Sequence, residues 1–484
     1  MYILENLEPK KVFMFFEEIS RIPRGSGNEK EASDYLVKFA KDRNLEVIQD
    51  NVYNVIIKKP GTKGYENSPP VILQGHIDIV CEKNQDTVHD FEKDPIKLII
   101  DGDFIKADGT TLGADNGNAI AIAMGILDSD DIPHPPIEAL FTTEEETGLG
   151  GAKVLDASLL SAKRLINLDV GPEGQFYAGC AGGMRTKISI SIEFEKPKEG
   201  YKAFDLKIRD LKGGHSGALI HMELGNSNKL LGRALDFISS KLSLSLSYVS
   251  GGAKENAIPR EADAVISVKE NEIEHLKNLV KEFDAILKSE FRTSDPDVNL
   301  ILNDTKMPEK VFSQKTTEAV LKAYLLIPSG MIARSLDIEG LTETSTNMGV
   351  VITDDDEVVF SNATRSSVST RKKLIARQME ALASLLGASI EIGSEYPAWE
   401  FNADSYIRDI AVKTYEDMFG KKAVITATHG GLECGIFAEK MPGVDIIALG
   451  PTAYGAHTPQ ERLSISSFAR TWEFVKKLLE NLKD

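Results

Sequence analysis

Cysteine, positive charge and long apolar runs are all scarce in this chain. Its three cysteines, Cys81, Cys180 and Cys434, stand far apart and show no Cys-x-x-Cys spacing. That argues against a disulfide framework or a zinc knuckle and predicts buried free thiols in a reducing cytoplasm. Lys and Arg number 56 against 74 Asp and Glu, a net charge of −18. A surface of that sign disfavours nucleic acid and anionic membranes as partners, and it tolerates the acidic clusters that cation sites need. No stretch of eighteen apolar residues occurs, so no membrane-spanning helix is expected. Acidic residues interrupt the opening MYILENLEPKKVFMFF, unlike a signal peptide.

What is present is an ordinary globular composition, 42% hydrophobic and 27% charged, over 484 residues. That length predicts at least two domains. Up to about residue 184, strand-like and helix-like segments alternate, which predicts an α/β sandwich with helices on both faces of a mixed sheet. VILQGHIDIV, Val71–Val80, is apolar on both sides, as a central strand under helices should be. IKLIIDGDFIKAD (96–108) reads as a hairpin with an Asp-Gly turn. Beyond residue 184, period-two segments such as KISISIEFE and AFDLKIRDL predict half-exposed antiparallel strands. Residues 293–396 repeat that order of strands and helices without repeating the sequence. The α/β texture then resumes near Pro397. The expected organisation is a discontinuous α/β domain, 1–184 and 397–484, interrupted by an α+β domain with two similar halves, 185–396.

Five spots just after strands, or in a loop before a helix, carry groups suited to metal-assisted hydrolysis. Gly75-His76-Ile77-Asp78 closes the central strand, and its imidazole and carboxylate are two residues apart. Gly113-Ala114-Asp115-Asn116-Gly117 precedes a small-residue helix, where Asp115 reads equally well as an N-cap. Thr143-Glu144-Glu145-Glu146-Thr147-Gly148 follows an apolar strand. Its adjacent acids repel one another unless solvated or bound to cations. Asn167-Leu168-Asp169 ends a short strand, and Gly455-Ala456-His457-Thr458-Pro459 follows another. Each is commonplace alone. Together they supply imidazole and carboxylate ligands with a carboxylate to spare as a base. The steps from His76 to Asp115, Glu146, Asp169 and His457 are 39, 31, 23 and 288 residues, the last spanning the whole insertion.

In this order, the motifs ILQGHIDIVCEK, LGADNG, TTEEETGLGGA, NLDVG, KGGHSG, ENAIPRE, HGGLECG and AHTPQERL resemble the di-zinc aminoacylase/carboxypeptidase/dipeptidase family over the full length. Within it they resemble the aminoacyl-histidine dipeptidase branch. The resemblance implies hydrolysis of dipeptides, Xaa-His and others with a free amino terminus. The alternatives are an N-acyl amino-acid amidohydrolase or tripeptidase using the same site, or a non-catalytic metal-binding protein of the same fold. It implies two divalent ions, zinc with Mn²⁺ or Co²⁺ as alternatives. His76 and Asp169 would hold one ion and Glu146 and His457 the other, with Asp115 bridging. Asp78 would orient His76, and Glu145 would be the general base. From the insertion, His215 would stabilise the tetrahedral intermediate, while Asn256 and Arg365 would hold the substrate's terminal carboxylate. Glu433 in HGGLECG is a candidate for the substrate's amino terminus, or simply a helix-start Glu. A doubled insertion is compatible with either a monomer or a homodimer.

Overall fold

Strand Val71–His76 is buried at every position, because its alternate side chains meet two different layers. Val71 and Leu73 join the large apolar cluster that contains Phe13, Phe16, Phe468 and Trp472. Gln74 points the other way and donates to Glu433, on helix Glu433–Lys440. Both faces of the sheet are therefore covered by helices, and polar residues on the strand need partners inside the protein. A computed structural model of the chain describes residues 2–483. Among them, Val71–His76 pairs in parallel with Ile137–Thr142 on one side and Arg164–Asn167 on the other. Asp445–Ala448 continues the parallel run beside Arg164–Asn167.

Antiparallel strands flank this parallel centre, giving an eight-stranded mixed sheet. The hairpin expected at 96–108 is present as Leu98–Asp101 and Phe104–Ala107. It joins Arg462–Ser464 and Ala453–Tyr454 in a separate four-stranded sheet. The central strand stops at His76, earlier than the expected Val80. Ile77 and Ile79 leave the ladder and donate instead to the carbonyls of Thr142 and Arg24.

The chain divides into two units. One comprises the chain up to Cys180, Phe401–Ala427 and Leu432 onward; the other is Ala181–Glu400 with Thr428–Gly431. The expected boundaries at 184 and 396 each lie four residues inside the second unit, and the short excursion at Thr428–Gly431 had no sequence signal.

The second unit is built on a nine-stranded sheet, antiparallel throughout. Its halves meet where Gly251 pairs with Val351. Each half has two helices that share one apolar cluster: Ser227–Ser239 and Ile273–Glu290 in one, Gln314–Leu326 and Ser369–Leu386 in the other. The two halves exchange strands relative to the sequence reading. Asn299–Thr305, expected to open the second half, pairs with Tyr201–Arg209 of the first. Gly182–Ser191, expected in the first, lies between Glu357–Ser366 and Ser389–Tyr396 of the second. Cys180 and Cys434 are buried as expected, but Cys81 is exposed because it lies in the loop beyond the strand end.

Candidate metal centre

The carboxyl ends of parallel strands are where side chains leave a sheet and converge. His76 ends one such strand, the Glu144–Glu146 turn follows Ile137–Thr142, and Asp169 follows Arg164–Asn167. His76 Nε2 lies 2.9 Å from Asp115 Oδ1 and 3.5 Å from Asp169 Oδ1. His457 Nε2 lies 3.0 Å from Glu146 Oε1 and 3.4 Å from Asp115 Oδ2. Asp115 thus offers one oxygen to each imidazole, as a bridging carboxylate would. One ligand atom each from His76, Asp115 and Glu146 falls within 4.8 Å of the others.

The donor set fits divalent cations. Glu146 Oε1 is buried and makes no hydrogen bond, although His457 Nε2 is 3.0 Å away. His76 Nδ1 is 3.0 Å from the Asp78 carbonyl oxygen. A carbonyl only accepts, so Nδ1 carries the hydrogen and Nε2 turns toward the carboxylates.

Crowding sets the charge states. Burial opposes ionisation of Asp115, but His457 and His76 outweigh it and hold its carboxyl far below the usual range. Burial pushes Asp169 up to about 8, with Asp115 adding to the effect against the pull of His76. Burial likewise raises Glu145 well above 4.5. His457 is pushed up to about 10 by the Asp115 and Glu146 carboxylates beside it. So many acids in one dry spot require compensating positive charge, from protons or from cations.

Asp78 is fully buried and has a wider role than orienting His76. Its backbone carbonyl is the closer partner of the imidazole, since its Oδ1 is 3.4 Å from Nδ1. The carboxylate accepts from the Ser26 hydroxyl (2.7 Å) and from the backbone N–H groups of Glu145 (3.0 Å) and Glu146 (3.2 Å). One residue therefore sets both the first imidazole and the turn bearing the candidate base and a ligand. Asn116 ties the next loop in. Its side chain accepts from the His76 N–H and donates to the Leu168 carbonyl. Gly75 is required here because a Cβ would meet Asn116 Oδ1 at 2.3 Å and the Ala119 Cβ at 2.4 Å.

Within the second unit, His215 and Asn256 come together. Gly214 and His215 pair with Ile258 and Ala257, and Ser216 N–H donates to the Asn256 carbonyl. Both residues line an open groove of about 760 Å³. His215 Nδ1 accepts from the Ala218 N–H at 3.1 Å, leaving Nε2 as the protonated nitrogen of a neutral ring. Burial, with Arg365 and Arg185, lowers its pKa. Arg365 is close by: a Cβ on Gly217 would sit 2.9 Å from His215 Cε1 and 3.1 Å from Arg365 Cζ. Arg365 donates to the Tyr396 hydroxyl, while its buried Nε has no partner.

Residues 72–481 match the model of peptidase family M20/M25/M40. The chain belongs to this family. It is 39% identical over 479 residues to the cytosol non-specific dipeptidase of Escherichia coli (strain K12), covering 99% of each chain. It superposes on the aminoacylhistidine dipeptidase from Vibrio alginolyticus with a TM-score of 0.95 at 38% identity, covering 99% of this chain and 97% of the other. An aminopeptidase PepT from Bacillus cereus shares the fold at a TM-score of 0.57 and 18% identity, over 99% of this chain and 100% of the other.

As an M20 peptidase the chain is a peptide hydrolase, and the expected ligands His76, Asp115, Glu146, Asp169 and His457 lie in one cluster of the first unit. Glu433 lies in the interior of the first unit. It is 0% exposed, and its Oε2 accepts from Gln74 (2.6 Å) and Thr142 (2.8 Å) beneath the strand ends. That oxygen is held in a buried polar cluster, in which burial pushes Glu433 up to about 7, while the buried Oε1 has no partner among the described residues. Sequence reasoning passed over Ser26 and Arg24, which support the site from the segment RIPRGSGNE. The signal available was a Gly- and Ser-bearing turn, too common to single out.

Proposed function

We propose that this M20 peptidase hydrolyses unblocked dipeptides, Xaa-His among them, in the cytosol and with two divalent ions, zinc being the first choice and Mn²⁺ or Co²⁺ alternatives. The names of its full-length relatives support the substrate class. The observation that carries the chemistry is Glu145. Its backbone is pinned by Asp78, and its carboxylate accepts no hydrogen bond from the described residues. Burial raises its proton affinity.

His76 and Asp169 would hold one ion, His457 and Glu146 the other, and Asp115 both. When bound, the ions lower the pKa of water and polarise the scissile carbonyl. Glu145 then takes the proton as the water oxygen bonds to the carbonyl carbon. It returns that proton to the departing amine as the C–N bond breaks. Asp78 keeps Glu145 out of the ligand set by fixing the turn through two amides. In the second unit, neutral His215 offers its Nε2–H to the developing oxyanion, and Arg365 with Asn256 takes the substrate's carboxylate.

Glu145→Gln tests this reading. Turnover of Ala-His should fall by about 10²–10⁴-fold while the metal content stays at the wild-type value. Loss of metal from the variant would instead make Glu145 a ligand. Running N-acetyl-His and a tripeptide beside Ala-His separates amidohydrolase and tripeptidase activity. No hydrolysis of any of them by the metal-restored wild type would make the chain a binding protein only.

A further inference from the structure

The loop that delivers His457 also carries an acid, Glu461, that neither the ligand set nor the base uses. Glu461 is 2% exposed. Its Oε2 accepts from the N–H groups of Leu112 (2.8 Å) and Gly113 (2.9 Å), and its Oε1 from the Asp115 N–H (3.2 Å). Those amides lead into helix Ala114–Leu127, whose N-cap Gly113 has no side chain with which to cap it. Glu461 supplies that cap from the far end of the chain. On the carbonyl side of the same segment, the buried Arg24 donates to Gly113 O (2.7 Å) and to Ile77 O (2.6 Å). The backbone that presents Asp115 is thus gripped through its N–H groups by Glu461 and through a C=O by Arg24.

A buried carboxylate is costly unless charge-assisted hydrogen bonds compensate. Burial does raise the Glu461 pKa, and the three amides oppose that rise. Simple helix capping needs only a Ser, Asn or Asp at the N-cap itself. A long-range Glu does more, because Glu461 lies four residues beyond His457 and its backbone N–H closes onto Thr458 O in the same turn.

We propose that Glu461 is a positioning residue of the metal centre. It locks the loop carrying His457 to the segment carrying Asp115, so that the Asp115 oxygens stand between the two imidazoles. This rests on the two-metal reading above. Glu461 touches neither metal nor substrate and acts only through the Leu112–Asp115 backbone.

The test uses full-length metal-free protein, titrated with Zn²⁺ and separately with Mn²⁺ against a competing chelator. Glu461→Gln and Glu461→Asp should both bind metal about 10–100-fold more weakly. Their kcat for Ala-His should fall, with KM within about twofold of wild type on the same reasoning, and added metal should restore part of it. Their apo melting temperatures should stay close to wild type. Adding Asp115→Asn to Glu461→Gln should weaken metal binding little beyond Asp115→Asn alone, because both changes act on one group. Wild-type metal affinity in the Glu461 variants, additive losses, or unfolded apo forms of both variants would each overturn the proposal. Failure of the wild type to bind metal would instead defeat the metal-centre reading itself.

Discussion

At the scale of single residues, the histidines show how environment divides one side chain among different tasks. His457 is driven up to about 10 by its carboxylate partners. His429 is pushed down to about 4, first by burial and then by the Arg365 charge. Its Nε2 lies 2.7 Å from the Ser345 hydroxyl, and it stays neutral in the folded second unit. Between pH 4 and its ordinary 6.5 the unfolded chain binds a proton at His429 that the folded chain refuses. Stability from this site is therefore fully present above pH 6.5 and lost as pH falls toward 4, by up to about 3 kcal/mol. His429→Gln should flatten the fall in urea midpoint across that window, monitored by a probe in the second unit. An unchanged pH slope would show that His429 is not the titrating group.

At the scale of elements, the helices of the second unit are placed by apolar packing that leaves an occasional polar atom behind. Tyr324 on helix Gln314–Leu326 is fully buried, edge-on to Phe360 with ring centroids 5.0 Å apart, and its hydroxyl has no partner. Tyr324→Phe removes only that unsatisfied group and keeps the ring contact. The variant should match or exceed wild-type stability by up to about 1–2 kcal/mol in denaturant unfolding. A loss of more than about 1 kcal/mol would mean the hydroxyl is satisfied in solution. Elements were legible in the sequence where periodicity was strong: the hairpin at 96–108 and the buried strand from Val71 are both present. Strand partners were not legible. Tyr201–Arg209 and Gly182–Ser191 share the same period-two pattern, so either would suit either half of the sheet. Which half each joins depends on non-local pairing that no local pattern encodes.

At the scale of the molecule, the five proposed ligands all belong to the first unit, while His215, Asn256 and Arg365 belong to the second. A metal that binds the folded state stabilises the unit holding its ligands. Chelation should therefore accelerate amide exchange in Val71–His76, Ile137–Thr142 and the Glu144–Glu146 turn. Protection in Gly182–Ser191 and Glu357–Ser366 should stay unchanged. Hydrogen exchange with mass spectrometry on holo and chelated protein reads this directly, and equal deprotection of both units would contradict it.

The residue types, their order and their positions after strands were enough to assemble the candidate site on paper. A ligand must carry a lone pair, and strand ends are where side chains converge, so chemistry and local periodicity both leave marks in the sequence. The clustering of His76, Asp115, Glu146, Asp169 and His457 was legible for that reason. Only the tertiary structure decided what holds them. Asp78 grips the Glu145–Glu146 turn by its carboxylate and His76 by its carbonyl. Glu433 is buried against the side chains of Gln74 and Thr142. Glu461 and Arg24 bracket the Gly113–Asp115 backbone from sequence positions hundreds of residues apart. Apart from those of Glu433, these contacts run between side chains and backbone amides or carbonyls, which every residue possesses. The partner's identity therefore leaves no trace in the sequence, and only folding reveals the choice.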